Sequence, residues 1–185
     1  MPKRPTFSLI GTALGAVLLS GAWSASAQLV DVGKPMVGFF ATGPAGLNIE
    51  GHAASLSVTD REKAIEIDVP VNTLETGIGL RDEHLRDYIH AKDHPSAQLV
   101  VPRSALSFPA DGKQGGGKAT GELSLNGKKH SLPFSYQARR VGSQYQVQAL
   151  ATIDIRDHGI EVPCYLKICV QPEVKIKVKF QIEDR

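Results

Sequence analysis

Glu173-Val174-Lys175-Ile176-Lys177-Val178-Lys179-Phe180-Gln181-Ile182 is the stretch on which the reading of the fold turns. Its apolar and polar residues alternate one for one. On an extended chain successive side chains point to opposite faces. Val174, Ile176, Val178, Phe180 and Ile182 therefore make one buried face, and Lys175, Lys177, Lys179 and Gln181 make one wet face.

The same period recurs along the chain. Ala54, Leu56 and Val58 alternate with Ser55 and Ser57, and Ile65, Ile67 and Val69 alternate with Glu66 and Asp68. Leu123 and Leu125 stand against Glu122 and Ser124, and Leu132, Phe134 and Tyr136 against Ser131, Ser135 and Gln137. Tyr145, Val147, Ala149, Ala151, Ile153 and Ile155 continue the pattern against mostly polar neighbours. Turn chemistry separates the runs, and Asn126-Gly127 between two of them is the strongest hairpin signal. Clean alternation of this kind favours antiparallel strands, of which about seven or eight are counted. One stretch departs from it. Leu85, Tyr88 and Ile89 are spaced for a short helix near residues 81–94, with Pro95 ending it. A β-rich chain with one helical insert suggests a barrel or a sandwich, and periodicity alone does not choose between them.

Residues 1–27 read as a secretory leader. Lys3 and Arg4 form its positive end, Leu9 to Leu19 its apolar run, and Ala25-Ser26-Ala27 a peptidase site. The apolar run is shorter than the ~20 residues that a spanning helix needs, so no membrane span is expected. Cleavage after Ala27 is expected to leave residues 28–185 as a single domain, periplasmic if the source is a Gram-negative bacterium. Of the 21 Lys and Arg residues, two lie in the leader, which has no acidic residue, so 19 remain against 19 acidic residues. A neutral chain has no electrostatic pull toward nucleic acid or an anionic membrane.

Cys164 and Cys169 are the two cysteines. On an extended strand they would stand too far apart to bond, so a disulfide requires a tight loop between Pro163 and Pro172. An oxidising compartment permits one, and free thiols remain the alternative. His90 and His94, with Asp93 and His84 nearby, have a spacing that would share a helical face. No HExxH accompanies them, and no metal is expected. His52, His130 and His158 are isolated. No nucleophile elbow and no phosphate-binding loop is present, so no catalytic residue is assigned.

Three segments carry a family resemblance. Thr76-Gly77-Ile78-Gly79-Leu80-Arg81-Asp82-Glu83-His84-Leu85 resembles the T-G-x-x-x-R-D-x-H-L signature of the YceI-like family. Gly121-Glu122-Leu123-Ser124-Leu125-Asn126-Gly127 is similar to that family's G-(D/E)-L-T-L-x-G hairpin, with Ser124 in place of Thr. Ile153-Asp154-Ile155-Arg156-Asp157-His158-Gly159-Ile160 resembles its late strand. The similarity spans roughly residues 37 to 182. It implies a lipocalin-like antiparallel β-barrel of about eight strands, periplasmic, holding a polyisoprenoid, a quinone or a similar long amphiphile for transport or storage.

On that reading the inward residues Leu56, Val58, Ile65, Ile67, Val69, Leu123, Leu125 and Leu132 line the barrel. So do Phe134, Tyr136, Val147, Ile153, Ile155, Ile176 and Val178. The set has few aromatics and suits an alkyl or isoprenoid chain, with ~0.8 kcal/mol for each buried CH₂. Arg81, Asp82, His84 and Arg156 are then head-group contacts, or structural pairs of Arg81 or Arg156 with Asp82 or Asp157. No cofactor other than the bound lipid is implied, and a homodimer is left open. Two alternatives stand beside this reading. One is an enzyme acting on a lipid head group through Arg81, Asp82 and His84. The other is a ligand-free structural barrel with a filled core.

Overall fold

The computed structural model describes residues 29–165 and 168–184. The leader and its cleavage point lie outside the described residues. Eight antiparallel strands close on themselves: β1 (Leu29–Thr42), β3 (Ser57–Asp60), β4 (Ala64–Pro70), β5 (Ser96–Pro102), β6 (Gln114–Leu125), β7 (Lys128–Val141), β8 (Gln144–Asp154) and β11 (Glu173–Asp184). β11 pairs with β8 on one side and with β1 on the other, and β1 meets β3, which completes the ring. An extra strand, β2 (Asn48–Ala53), lies along the upper part of β1. A two-stranded hairpin, β9 (Cys164–Tyr165) with β10 (Ile168–Cys169), precedes β11. The barrel reading is therefore the correct one, and closure leaves its eight strands with little unpaired edge.

Sequence pattern explains the ladder. The alternation of β11 places Val178 and Phe180 against Ala149 and Val147 of β8, on the inner face. Asn126 (φ 50°) and Gly127 (φ 70°) both occupy the left-handed region between Leu125 and Lys128, as a two-residue hairpin turn requires. The run from Ala54 to Val58 is not one strand: β2 ends at Ala53 and β3 starts at Ser57. Their separate pairing, β2 with the upper half of β1 and β3 with Val30, accounts for the break.

The helix is shorter than its spacing suggested. α1 spans Gly79–Tyr88, and His90 adopts φ 49°, which no helix accommodates. Its amides are satisfied instead by turn bonds, with Ala91 N–H reaching Arg86 C=O at 2.9 Å. His90 and His94 thus share no helical face, and among the described residues no three His, Cys, Asp or Glu side chains form a metal-binding group. No helix among the described residues is long and apolar enough to cross a membrane.

α1 lies between β4 and β5, over the end of the barrel where β4, β6 and β8 finish and β5, β7 and β11 begin. The Pro44–Gly46 turn, the Ile155–His158 turn and the β9–β10 hairpin belong to the same end. The opposite end is bounded by the 103–113 connection and the β7–β8 turn.

Candidate functional site

The interior of the barrel is hollow. Ile67, Val69, Leu99, Phe134, Val147 and Ile176 face inward yet are only half buried. A filled core would bury such residues completely, as Val101 is at 1% exposure. The space they enclose has a volume of about 680 Å³. That falls in the range of ~300–1,000 Å³ typical of small-molecule sites. The filled-core alternative is therefore set aside.

Of the fifteen inward residues expected from the alternation, all but Val58 line this cavity. Val58 is buried instead in the packed cluster of Leu29, Val37, Leu56, Ile65, Tyr145, Phe180 and Ile182. These neighbours of Val58 also line the cavity and narrow it toward one end of the barrel. Outside it, Asp60, whose side chain is 4% exposed, pairs with Arg103 and accepts the Leu29 N–H at 3.0 Å. The Arg103 guanidinium also lies 4.7 Å over the Phe108 ring. Ser107 N–H donates to the Tyr136 hydroxyl at 2.6 Å, so this end is laced shut.

The α1 end is different. Ala41, Ile49, Ile153 and Val174 line the cavity there and all keep part of their surface accessible. Around them stand Pro44, the N-terminal half of α1 with Arg81, His84 and Tyr88, and Pro163, Cys164 and Val170 of the hairpin segment. A second apolar cluster, with Val71, Ile89, Leu123, Leu125, Leu132 and Ile160, packs the far side of α1 against β6 and β7. The mouth is therefore offset toward β1, β2 and β11.

Thr76 organises the polar groups at this mouth. Its N–H donates to Asp82 Oδ1 at 2.6 Å, and its hydroxyl donates to the same oxygen. Asp82 is 7% exposed and sits in the first turn of α1, where a negative charge favours the helix dipole. The Thr76 hydroxyl holds the Asp82 carboxyl below its usual range. Arg81 in turn donates from Nε to Thr76 Oγ1 at 2.7 Å and from Nη2 to Thr76 C=O at 2.9 Å. Two of its five N–H donors are thus used to aim the guanidinium, and three remain. His84, one turn on, is exposed and lines the cavity beside it. Arg86 Nη1 donates to Leu74 C=O at 3.0 Å and ties the helix to the preceding segment.

Structure thus brings Arg81 and His84 together at the mouth, with Asp82 beneath them as a support. Arg156 does not join them. Its guanidinium is bound to Asp154, two residues earlier, and it does not line the cavity. That pairing, not one with Asp157, holds the Asp154 carboxyl down at about 2. Nor does Arg81 pair directly with Asp82, because Thr76 stands between them. Cys164 and Cys169 are joined by a disulfide across the β9–β10 hairpin, beside the mouth.

Several lining residues were not singled out from the sequence. Val37, Phe39 and Ala41 of β1 do alternate, but a register shift between Val32 and Met36 breaks the run before them. Ala97, Leu99 and Val101 of β5 also alternate, with the apolar Val100 obscuring the wet face. Phe39 depends on its neighbour: its ring lies over Gly51, where a Cβ would collide with it. His158 is a further finding. It is 3% exposed, its Nδ1 meets Lys128 C=O at 3.2 Å, and burial pushes its pKa down. Asn126 links its carbonyl (3.0 Å) to the His90 ring (2.9 Å), so the hairpin tip, the end of α1 and the Ile155–His158 turn are stitched together.

Comparison with known proteins agrees with this geometry. A family model described as the YceI-like domain matches residues 29–182. A polyisoprenoid binding domain from Saccharophagus degradans, implicated in plant cell wall breakdown, superposes with a TM-score of 0.73 at 16% identity, over 86% of this chain and 99% of that one. BcnA of Burkholderia cenocepacia gives a TM-score of 0.65 at 20% identity, over 82% and 98%. The YCEI protein of Campylobacter jejuni gives 0.58 at 16% identity, over 75% and 86%. No curated protein matches the sequence. At these identities the solved structures share the fold with this chain.

Proposed function

The chain belongs to the YceI-like domain family, and from that premise we propose that it binds a polyisoprenoid, a quinone or a similar long amphiphile inside its barrel. The observation that carries this reading is the apolar cavity of about 680 Å³ with Thr76, Arg81 and His84 at its mouth. A flexible apolar chain gains about 0.8 kcal/mol for each CH₂ taken out of water, so a predominantly apolar lining suits it. The three free donors of Arg81, with His84 beside them, suit a hydroxyl, carbonyl or phosphate at the chain's end. The lipid enters tail first, and its head stays at the α1 end.

The protein works by binding, not by catalysis. Asp82 is bonded to Thr76 and held ionised, so it is no proton donor near neutral pH. We place the protein in the periplasm, exported by residues 1–27 with cleavage after Ala27, and acting there as a carrier or store. The test is titration of delipidated protein with a prenyl alcohol and the matching prenyl phosphate, in buffer free of vesicles. Saturable uptake is expected, with Arg81→Ala weakening the phosphate more than the alcohol. No uptake of either, by protein shown to be folded and delipidated, would refute the reading.

A further inference from the structure

We propose that the rim of the cavity mouth is a docking surface for a lipid bilayer, inserted through Leu47, Ile78 and Leu80. This rests on the lipid-binding reading above. The three side chains are 56%, 54% and 65% exposed, among the most exposed large apolar residues of the described chain. None of them lines the cavity, but each is close in sequence to a residue that does. Leu47 follows Pro44, Ile78 follows Thr76, and Leu80 precedes Arg81. Met36, Leu150 and Val141 are comparably exposed elsewhere on the barrel, but these three stand next to residues of the mouth, where the apolar interior reaches the surface.

The segments that carry them leave open space around their glycines. A Cβ added at Gly46, Gly77 or Gly79 would meet no atom within 4 Å. Leu47 is nevertheless held in place: its N–H donates to Pro44 C=O at 3.1 Å, and its carbonyl accepts the Gly43 N–H at 2.6 Å. Ile78 is the extended residue before α1, and its carbonyl accepts the first helical bond, from Asp82 N–H at 2.9 Å. These are pre-ordered aliphatic tips, so insertion costs little further ordering. At the other end Arg103 lies over one face of the Phe108 ring, and Val141 is the exposed aliphatic residue at the β7–β8 turn.

A bilayer is the occupant that this chemistry fits. The tips lie on two separate elements, Leu47 after the Pro44–Gly46 turn and Ile78 and Leu80 at the start of α1, and they flank residues that line the apolar cavity. The charges beside them, Glu75, Asp82 and Glu83 against Arg81, carry an acidic excess that disfavours an acidic partner or an anionic membrane and leaves a zwitterionic bilayer compatible. Aliphatic side chains that ring an apolar channel match the headgroup–acyl boundary, where such residues partition by buried area. Docked there, the mouth would pass a water-insoluble chain directly between barrel and membrane.

The test compares the protein with the triple variant Leu47→Ser, Ile78→Ser, Leu80→Ser on vesicles of pure phosphatidylcholine. Thermal melting verifies that the variant is folded, and prenyl alcohol uptake without vesicles reads lipid binding separately. The expected result is vesicle binding that falls about tenfold or more in the variant, with unchanged uptake. The transfer rate of bound prenyl alcohol should rise with vesicle concentration in the protein and become independent of it in the variant. Equal vesicle binding by both, or none by either, would overturn the proposal. So would binding confined to anionic vesicles and abolished by salt, or a dimer that the substitutions dissociate without any vesicle binding. Failed uptake alongside rim-dependent vesicle binding would fall on the lipid-binding reading, not on docking.

Discussion

Ala149→Phe separates a hollow barrel from a packed one. Ala149 sits midway along β8, opposite Tyr136 and Val178, and its methyl group faces the cavity. It belongs to neither packed cluster. The substitution adds about six carbons, close to one isoprene unit, and at ~0.8 kcal/mol per buried carbon full displacement of that unit costs about 4 kcal/mol. Tenfold in affinity corresponds to about 1.4 kcal/mol, so the ceiling is near a thousandfold. A flexible chain re-threads around the ring, which leaves an expected loss of about tenfold or more. Stability moves the other way. In a filled core the added ring would overpack and cost about 1–3 kcal/mol. Here it enters empty space, and the urea midpoint of the ligand-free protein holds or rises. The assays are prenyl alcohol titration and urea unfolding of delipidated protein. Unchanged affinity, or a ligand-free protein destabilised by a kcal/mol or more, would refute the reasoning.

Further perturbations address the supports of the site. His158 has its folded pKa pushed down by burial, so the unfolded chain binds more protons as pH falls from its ordinary value near 6.5. Stability should then be lost progressively below about pH 6.5, and His158→Gln should flatten that slope in pH-dependent urea unfolding. Gly51→Ala drives a methyl group into the Phe39 ring and the Glu75 carbonyl, which calls for a loss of about 1–3 kcal/mol by denaturant titration, with weakened lipid uptake. Arg103→Ala strands the buried Asp60 carboxylate and should cost about 3–5 kcal/mol, without altering the mouth. Reducing the Cys164–Cys169 bond frees a loop with a sequence separation of 5, worth about 2 kcal/mol on chain-entropy grounds, as a lowered melting temperature under reductant.

Much of the fold was legible because a strand's period of two is strict. The alternation of β11, β8 and β7 gave the inner face directly, and Asn126-Gly127 gave a turn and its register. What escaped was irregular. β1 is the longest run missed, since Gly33 and Pro35 sit in a bulge that shifts its faces between Val32 and Met36. The helix runs shorter than the spacing of Leu85, Tyr88 and Ile89 suggests, because the break comes at His90, which leaves the helical region, and not at Pro95. At the mouth, the Arg81, Asp82 and His84 segment was visible as a motif. Its wiring was not, because Thr76 bonds to both Arg81 and Asp82 through contacts that no periodicity encodes. Arg156 was drawn toward the site by its place in a motif, and Asp154 holds it away. Hollowness itself is not a sequence property. The same alternation builds a filled core or an empty one, and only the half-buried state of Phe134, Val147 and Ile176 tells them apart.

The most direct test of the central claim is native mass spectrometry of the protein purified from its own cells, followed by solvent extraction. A mass excess that leaves with the organic phase and proves to be an isoprenoid, a quinone or another long amphiphile is the result predicted. A protein that flies at its bare polypeptide mass, and stays there after incubation with prenyl lipids, would contradict the account.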